Sequence, residues 1–277
     1  MIGPGTLARS GAMLALTRLS QERRQAVLRR PSARALTAPL RSGELVVASG
    51  PARGLRLDAA AFPFQHVHAR HLVRGTLEPP VQAALRRHVV PGAVVYDIGA
   101  NLGFFSLLAA RLAGPEGRVH AFEPAPANAA AIRANAAVNR LDRIDVLELA
   151  LGDAPGRAGL SVPDDASWAF LERYAPDRAA GAGIEVEVET VDRLVAAGRL
   201  APPQLVKIDV EGAELDVLAG MEETLRRHGP VLVCEMHGHN AEFVRRAEAL
   251  GYRVTNLEGP TPVAEGHVNT HALAVRS

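Results

Sequence analysis

The sequence predicts an α/β fold, a mostly parallel sheet with helices packed on both faces. Three observations carry that expectation. Short apolar, β-prone runs alternate with longer helical patterns over most of the chain. The run Val94-Val95-Tyr96-Asp97-Ile98 passes two glycines four apart, Gly99 and Gly103, into a helical pattern from Phe105 to Leu112. The last two β-runs are separated by a Gly- and Pro-containing stretch, residues 258–266, as in an antiparallel hairpin at a sheet edge.

Taken in order, residues 79–88 form the first helical pattern. The strand at 93–98 carries an acid near its end and leads into a tight turn, where glycine lets backbone approach a ligand that a Cβ would exclude. The helix at 104–112 opens with free N–H groups at that turn and stops at Gly114, with Pro115 beyond. A second acid-tipped strand spans 119–123; Pro124 then precedes a helix at 126–138, for which Asn139 is a stop signal. A strand at 144–149 completes this half. Between Gly152 and Arg199 the alternation breaks, with Pro155, Pro163, Pro176, the turn Asp164-Asp165, Trp168, Phe170 and Tyr174 ahead of a charged alternation at 184–189. Long irregular segments in compact domains tend to be lids, so residues 152–199 are expected as an insertion on the site side of the sheet. Its lone tryptophan either shapes a pocket or staples the loop to the core. A strand at 205–210, a helix at 213–227, a strand at 231–235 after Pro230, a helix at 241–250 and strands at 252–256 and 271–275 follow.

At 277 residues the chain is read as one large domain, residues 51–277, behind a basic extension, residues 1–50. A net charge of +1 gives no reason to expect a nucleic acid partner. The single cysteine, Cys234, excludes an internal disulfide framework and points to a reducing, cytoplasmic compartment; its apolar run makes it a buried, inert thiol. No stretch approaches the ~20 apolar residues of a membrane helix. The short run 12–16 is followed, not preceded, by Arg18, Arg23 and Arg24, which argues against a signal peptide. Residues 7–30 read in two ways, as a basic amphipathic helix touching a membrane surface or partner, or as a solvated extension.

The chemistry starts at Asp97-x-Gly99-x-x-x-Gly103. Glu123 lies at the end of the next strand, 20 residues past Gly103 (123 − 103), where βαβ nucleotide sites hold a ribose diol. A dinucleotide fingerprint needs three glycines in G-x-G-x-x-G; here Asn101 stands inside the loop and a carboxylate at the strand tip. A carboxylate there suits a ligand with an ammonium group, so S-adenosylmethionine is favoured over NAD. Further along, Lys207 is the only lysine in the chain, and it sits inside a β-run. Alternation places Lys207, Asp209 and Glu211 on one side at the carboxyl edge, where ligands bind in open α/β sheets. Glu235 and His237 alternate onto one side of the next strand and reach the same crevice. Histidine near its ordinary pKa is a natural proton acceptor. Asp209, Glu235, His237 and His239 could also bind a divalent metal, although their spacing alone is weak evidence for one.

Together, VYDIGANLGFFS, AFEPAPAN, ELALGD, ETVDRL, VKIDVEGAELDVLAG and VCEMHG resemble the FkbM-type S-adenosylmethionine-dependent methyltransferase family, in order over about residues 71 to 275. The resemblance implies a Rossmann-like class I methyltransferase sheet of seven strands and O-methylation of a hydroxyl on a natural product, sugar or glycolipid. It also implies that Asp97, Gly99, Asn101 and Gly103 hold the methionine half, Glu123 the ribose, and Ala150 and Leu151 the adenine. Glu78, in the lead-in 74–78, would approach the cofactor; this chain has Leu77 where the family commonly has an aromatic. Asp209 or His237 is the expected base, with Lys207 orienting it or stabilising the developing alkoxide. A non-catalytic S-adenosylmethionine-binding partner is disfavoured by the intact Lys207, Asp209 and His237, and an NAD-dependent oxidoreductase by the missing third glycine.

Overall fold

A computed structural model describes residues 43–58, 69–161, 170–171 and 183–276. The expectations for residues 7–30 and for Trp168 and Tyr174 lie outside the described residues. The described chain opens with a hairpin, β1 (Glu44–Val46) and β2 (Arg56–Asp58), then α1 (Ala69–Arg74) and α2 (Pro79–His88). The acid-tipped half follows as β3 (Val94–Ile98), α3 (Phe104–Ala113), β4 (Arg118–Phe122), α4 (Pro126–Asn139) and β5 (Ile144–Leu147). β6 (Ala150–Leu151) precedes the inserted segment, which holds β7 (Gly156–Ser161), β8 (Phe170–Leu171), β9 (Ile184–Glu189) and α5 (Val191–Ala196). Then come β10 (Leu205–Ile208), α6 (Glu214–Ala219), α7 (Glu222–His228), β11 (Val231–Glu235), α8 (Asn240–Ala249), β12 (Tyr252–Asn256) and β13 (His271–Arg276).

The main sheet runs β12-β13-β11-β10-β3-β4-β5, with β11, β10, β3, β4 and β5 parallel and β13 antiparallel to both neighbours. The chain leaves β3 toward β4 on one side and later returns to β10 on the other. The crevice beyond the carboxyl ends of β3 and β10 is therefore the topological switch point, the usual ligand position in open α/β sheets. Strand alternation divides the core. Val95, Leu205 and Val233 face the hairpin, α2 and α3, whereas Tyr96, Ile98, Val206, Ile208 and Cys234 face α6 to α8. Cys234 is fully buried, and burial pushes its thiol well up, as the sequence predicts.

The domain boundary expected at residue 50 falls inside the β1–β2 hairpin, whose Leu45, Val47, Leu55 and Leu57 share the core with Leu85 and Leu107. The open edge of β2 is satisfied by two helix asparagines one turn apart. Asn139 and Asn135 accept from the N–H groups of Arg56 and Asp58, both at 2.8 Å. Asn139 thus ends the helix less as a stop signal than as a partner for β2; the turn itself is made by Arg140 at φ 57°. The inserted segment is more regular than expected, for its described strands join β6 in a small sheet ordered β6-β9-β7-β8.

The helix expected at 213–227 is two helices. Gly220 runs against the insertion so closely that a Cβ there would lie 1.9 Å from the Gly152 carbonyl oxygen. Past the break, Asp192 caps α7 from outside, accepting from the N–H groups of Glu223 (2.9 Å) and Thr224 (2.7 Å) and from the Thr224 hydroxyl (2.6 Å). Removing such a cap costs about 0.5–2 kcal/mol. Asp192→Ala is therefore expected to lower the unfolding free energy, read from urea titration, by that much and to speed amide exchange at Glu223 and Thr224. Unchanged exchange there would show that the interruption needs no cap.

Candidate active site

A cavity of about 460 Å³ opens at the switch point. One end is lined by Gly99, Asn101, Leu102, Glu123, Leu149, Ala150 and Leu151, the other by Glu78, Lys207, Asp209, Glu211, Glu235 and Asn269. Leu160 and Leu171 of the inserted sheet also line it, which puts the insertion on the site side as expected.

At the first end, Glu123 follows β4 and is 4% exposed. Its Oε2 accepts from Asn101 N–H at 2.8 Å, and its Oε1 from Ala125 N–H at 2.9 Å and Asn128 Nδ2 at 3.4 Å. Burial pushes this carboxyl up to about 7 despite those three bonds. Asn101 adopts φ 52°, so its N–H turns to Glu123 rather than continuing a strand.

Asp97 and Gly103, expected around the ligand, stand behind the wall. Asp97 is 1% exposed; it accepts from Ser106 Oγ at 2.5 Å and lies 3.7 Å from Lys207 Nζ. Burial pushes its carboxyl up, only partly offset by Lys207 and Ser106. Gly103 takes φ 82° at the N-cap of α3, against Ile132. Gly99 lines the cavity, but the place its Cβ would take holds the Asp209 carbonyl oxygen, 1.8 Å away. It is glycine because two backbones touch there, not because a ligand needs the room.

The other end depends on register. Lys207 is the parallel partner of Asp97, so alternation puts both on the α3 face of the sheet. Lys207 is 4% exposed, with Asp209 Oδ2 at 3.1 Å and its Nζ 5.1 Å from the Phe105 ring centroid. Burial disfavours its charge, but Asp209 and Asp97 more than restore it. Burial likewise pushes Asp209 up, and Lys207 followed by His237 pulls it below the ordinary carboxylate range. The strand expected to reach residue 210 ends at Ile208. Glu211 reaches the cavity through a left-handed turn, φ 51°, not by alternation.

His237 does not reach the wall. Its Nδ1 donates to Glu214, which is fully buried, at 2.6 Å, and its Nε2 faces Glu211 at 3.6 Å and Glu235 at 3.9 Å. Burial works against its charge, yet the Glu214 bond and the Asp209 and Glu211 carboxylates raise it to about 9. A protonated ring has no lone pair to accept a proton, so the expectation of His237 as base is corrected. His239 is exposed.

The sequence reading missed His271 altogether. It pairs with Glu235 across the antiparallel β11–β13 register, and its ring meets Glu78, Glu235 and Glu258. Burial again opposes the charge, but these carboxylates raise it to about 11. Nothing in the local sequence marks it, because the hairpin register decides its neighbours.

The Methyltransferase FkbM domain model matches residues 97–254. The 31-O-demethyl-FK506 methyltransferase FkbM of Streptomyces tacrolimicus is 33% identical over 203 residues, covering 61% of this chain and 76% of that protein. The 2-O-methyltransferase NoeI of Sinorhizobium fredii is 30% identical over 177 residues (57% and 71%). The hexuronic acid methyltransferase AglP of Haloferax volcanii is 30% identical over 192 residues (65% and 71%). With the domain matched over more than half of its residues, the chain belongs to the FkbM methyltransferase family.

Proposed function

We propose that the protein transfers the methyl group of S-adenosylmethionine to a hydroxyl oxygen of a small-molecule acceptor, in the class of natural products, sugars and glycolipids. The observation that carries this reading is Glu123, a buried carboxylate anchored by backbone N–H groups at the tip of β4 and facing the cavity. A ribose diol donates to an acid in that position. The cavity volume of about 460 Å³ lies within the range of small-molecule sites. Leu149, Ala150 and Leu151 offer an apolar shelf for a purine, and Asp209 offers negative charge toward a sulfonium. Two of the relatives are named for methylation at oxygen, which supports the same chemistry here.

The bound cofactor supplies an electrophilic methyl carbon. The chain's own part is alignment, worth up to ~7–11 kcal/mol, and removal of the hydroxyl proton, worth about 10²–10⁴-fold. Asp209 is the base in this reading: it is held ionised, lies on the wall and is oriented by Lys207. Lys207 also offsets negative charge developing on the acceptor oxygen. Glu211 and Glu235 line the same end and accept from acceptor hydroxyls, with His237 facing both and His271 against Glu235.

Calorimetric titration with S-adenosylhomocysteine tests the assignment. Charged hydrogen bonds are worth about 1.5–3 kcal/mol, so Glu123→Ala is expected to lose tenfold or more in affinity. Because Glu123 titrates at about 7 and a diol binds its ionised form, wild-type affinity should be level above that pH. Below it, affinity should fall by up to about tenfold per unit. Wild-type affinity in Glu123→Ala, or a preference for NAD, defeats the reading.

A further inference from the structure

Buried His271 and the two part-buried carboxylates before it, Glu78 and Glu235, support a further reading. His271 is 9% exposed, and its Nε2 makes no hydrogen bond, although Glu78 Oε2 lies 3.3 Å away and Glu235 Oε2 3.4 Å away. Glu78 Oε2 is also buried without a hydrogen-bond partner. The other ring nitrogen, Nδ1, is taken by Glu258, which also accepts from the His271 backbone N–H at 3.1 Å. That arrangement, a carboxylate fixing one nitrogen while the other points at converging oxygens, is how histidine ligands are oriented around metals.

Spacing and charge agree. Metal bonds of about 2.0–2.2 Å to imidazole nitrogen and carboxylate oxygen set neighbouring donors roughly 3.0–3.5 Å apart in octahedral or tetrahedral sites. Both Nε2 distances fall in that interval, and all three donor atoms lie within 4.8 Å of one another. Glu78 and Glu235, both part-buried, share the one imidazole of His271 with the exposed Glu258. His237 lies 3.9 Å from Glu235 but is also engaged by Glu211 and Glu214, and Lys207 acts on Glu78 only at longer range. Part-buried negative charge gains from a counter-ion. The neighbouring group Asp209, Glu211 and His237 is less apt, since Lys207 already pairs with Asp209 and no buried atom there lacks a partner.

We propose that Glu78, Glu235 and His271 bind one divalent transition-metal ion at the acceptor end of the cavity. Two carboxylate oxygens and one imidazole nitrogen suit Mn²⁺, Fe²⁺ or Zn²⁺ better than Mg²⁺ or Ca²⁺, which favour all-oxygen sites. The ion replaces the proton on Nε2, which leaves to solvent, so binding strengthens as pH rises. Glu78 and Glu235 both line the cavity, so an ion between them faces the space where an acceptor hydroxyl binds and acts as a Lewis acid toward it.

The test uses chelator-stripped full-length protein and Mn²⁺ alone, followed by the electron paramagnetic resonance signal of the free ion. Wild type is expected to bind one ion per chain, Glu78→Gln and His271→Gln to bind at least tenfold more weakly, and His237→Gln to retain binding. No binding by wild type at millimolar Mn²⁺ overturns the proposal and leaves His271 as an imidazolium clamp. Wild-type affinity in both Glu78→Gln and His271→Gln, or loss confined to His237→Gln, overturns it as well. Should His271→Gln fail to fold, Glu78→Gln on the cavity wall carries the comparison. The experiment needs neither cofactor nor acceptor, so its failure leaves the methyltransferase reading intact.

Discussion

Lys207→Met is expected to destabilise the protein by about 3–5 kcal/mol, the usual consequence of removing one partner from a buried ion pair. The ammonium lies 3.1 Å from Asp209 and 3.7 Å from Asp97, and methionine would leave the buried Asp97 carboxylate with its nearby cation gone and a second carboxylate, Asp209, close by. Adding Asp97→Asn to Lys207→Met should recover much of the loss, because a neutral amide restores the charge balance. Lys207→Arg separates scaffold from chemistry. It keeps the charge, but a planar guanidinium does not reproduce a compact ammonium packed over Phe105. The variant should fold and bind S-adenosylhomocysteine, while single-turnover methyl transfer falls by about 10²-fold or more as Asp209 loses its orientation. Urea unfolding and rapid-quench methylation read the two effects. Full stability and full activity in Lys207→Met would remove this lysine from both roles.

Gly99→Ala is the second large effect, and the structure changes its cause. A methyl group there would sit 1.8 Å from the Asp209 carbonyl oxygen and 2.8 Å from its carbon, and the backbone is left-handed at φ 78°. Neither strand end can retreat without breaking the Asp209 N–H to Ile98 carbonyl bond at 3.0 Å. Left-handed strain of about 1–2 kcal/mol and overpacking of about 1–3 kcal/mol together give roughly 3 kcal/mol. For a protein of this size that lowers Tm by roughly 6–12 °C. Gly156→Ala is the control, since a Cβ there meets nothing within 4 Å. A variant Gly99→Ala with wild-type Tm and lost cofactor affinity would restore the view that the glycine makes room for a ligand.

The parts of this molecule written locally were legible in its residues. The turn from β3 into α3, the acid at the tip of β4 and the charged carboxyl edge of β10 each depend on neighbours a few positions away. Period-two alternation and glycine chemistry reveal such features. Glu123 could be expected at the site for the same reason, whereas Asn101, Ala150 and Leu151 were implied by the resemblance to the FkbM family; all four line the cavity.

Tertiary structure decided the rest. Asp97 meets Lys207 through the β3–β10 register at a separation of 110 positions (207 − 97), and His271 meets Glu235 only because β13 turns back beside β11. The break at Gly220 depends on the Gly152 carbonyl, and the cap that follows on Asp192. Protonation was equally out of reach. Whether His237 is a base or an imidazolium depends on burial and on Glu214, Asp209 and Glu211 closing around it. Alternation along one strand fixes which face a side chain takes. Which partner waits on that face, and what charge it carries, is set by strands and helices brought together from distant parts of the chain.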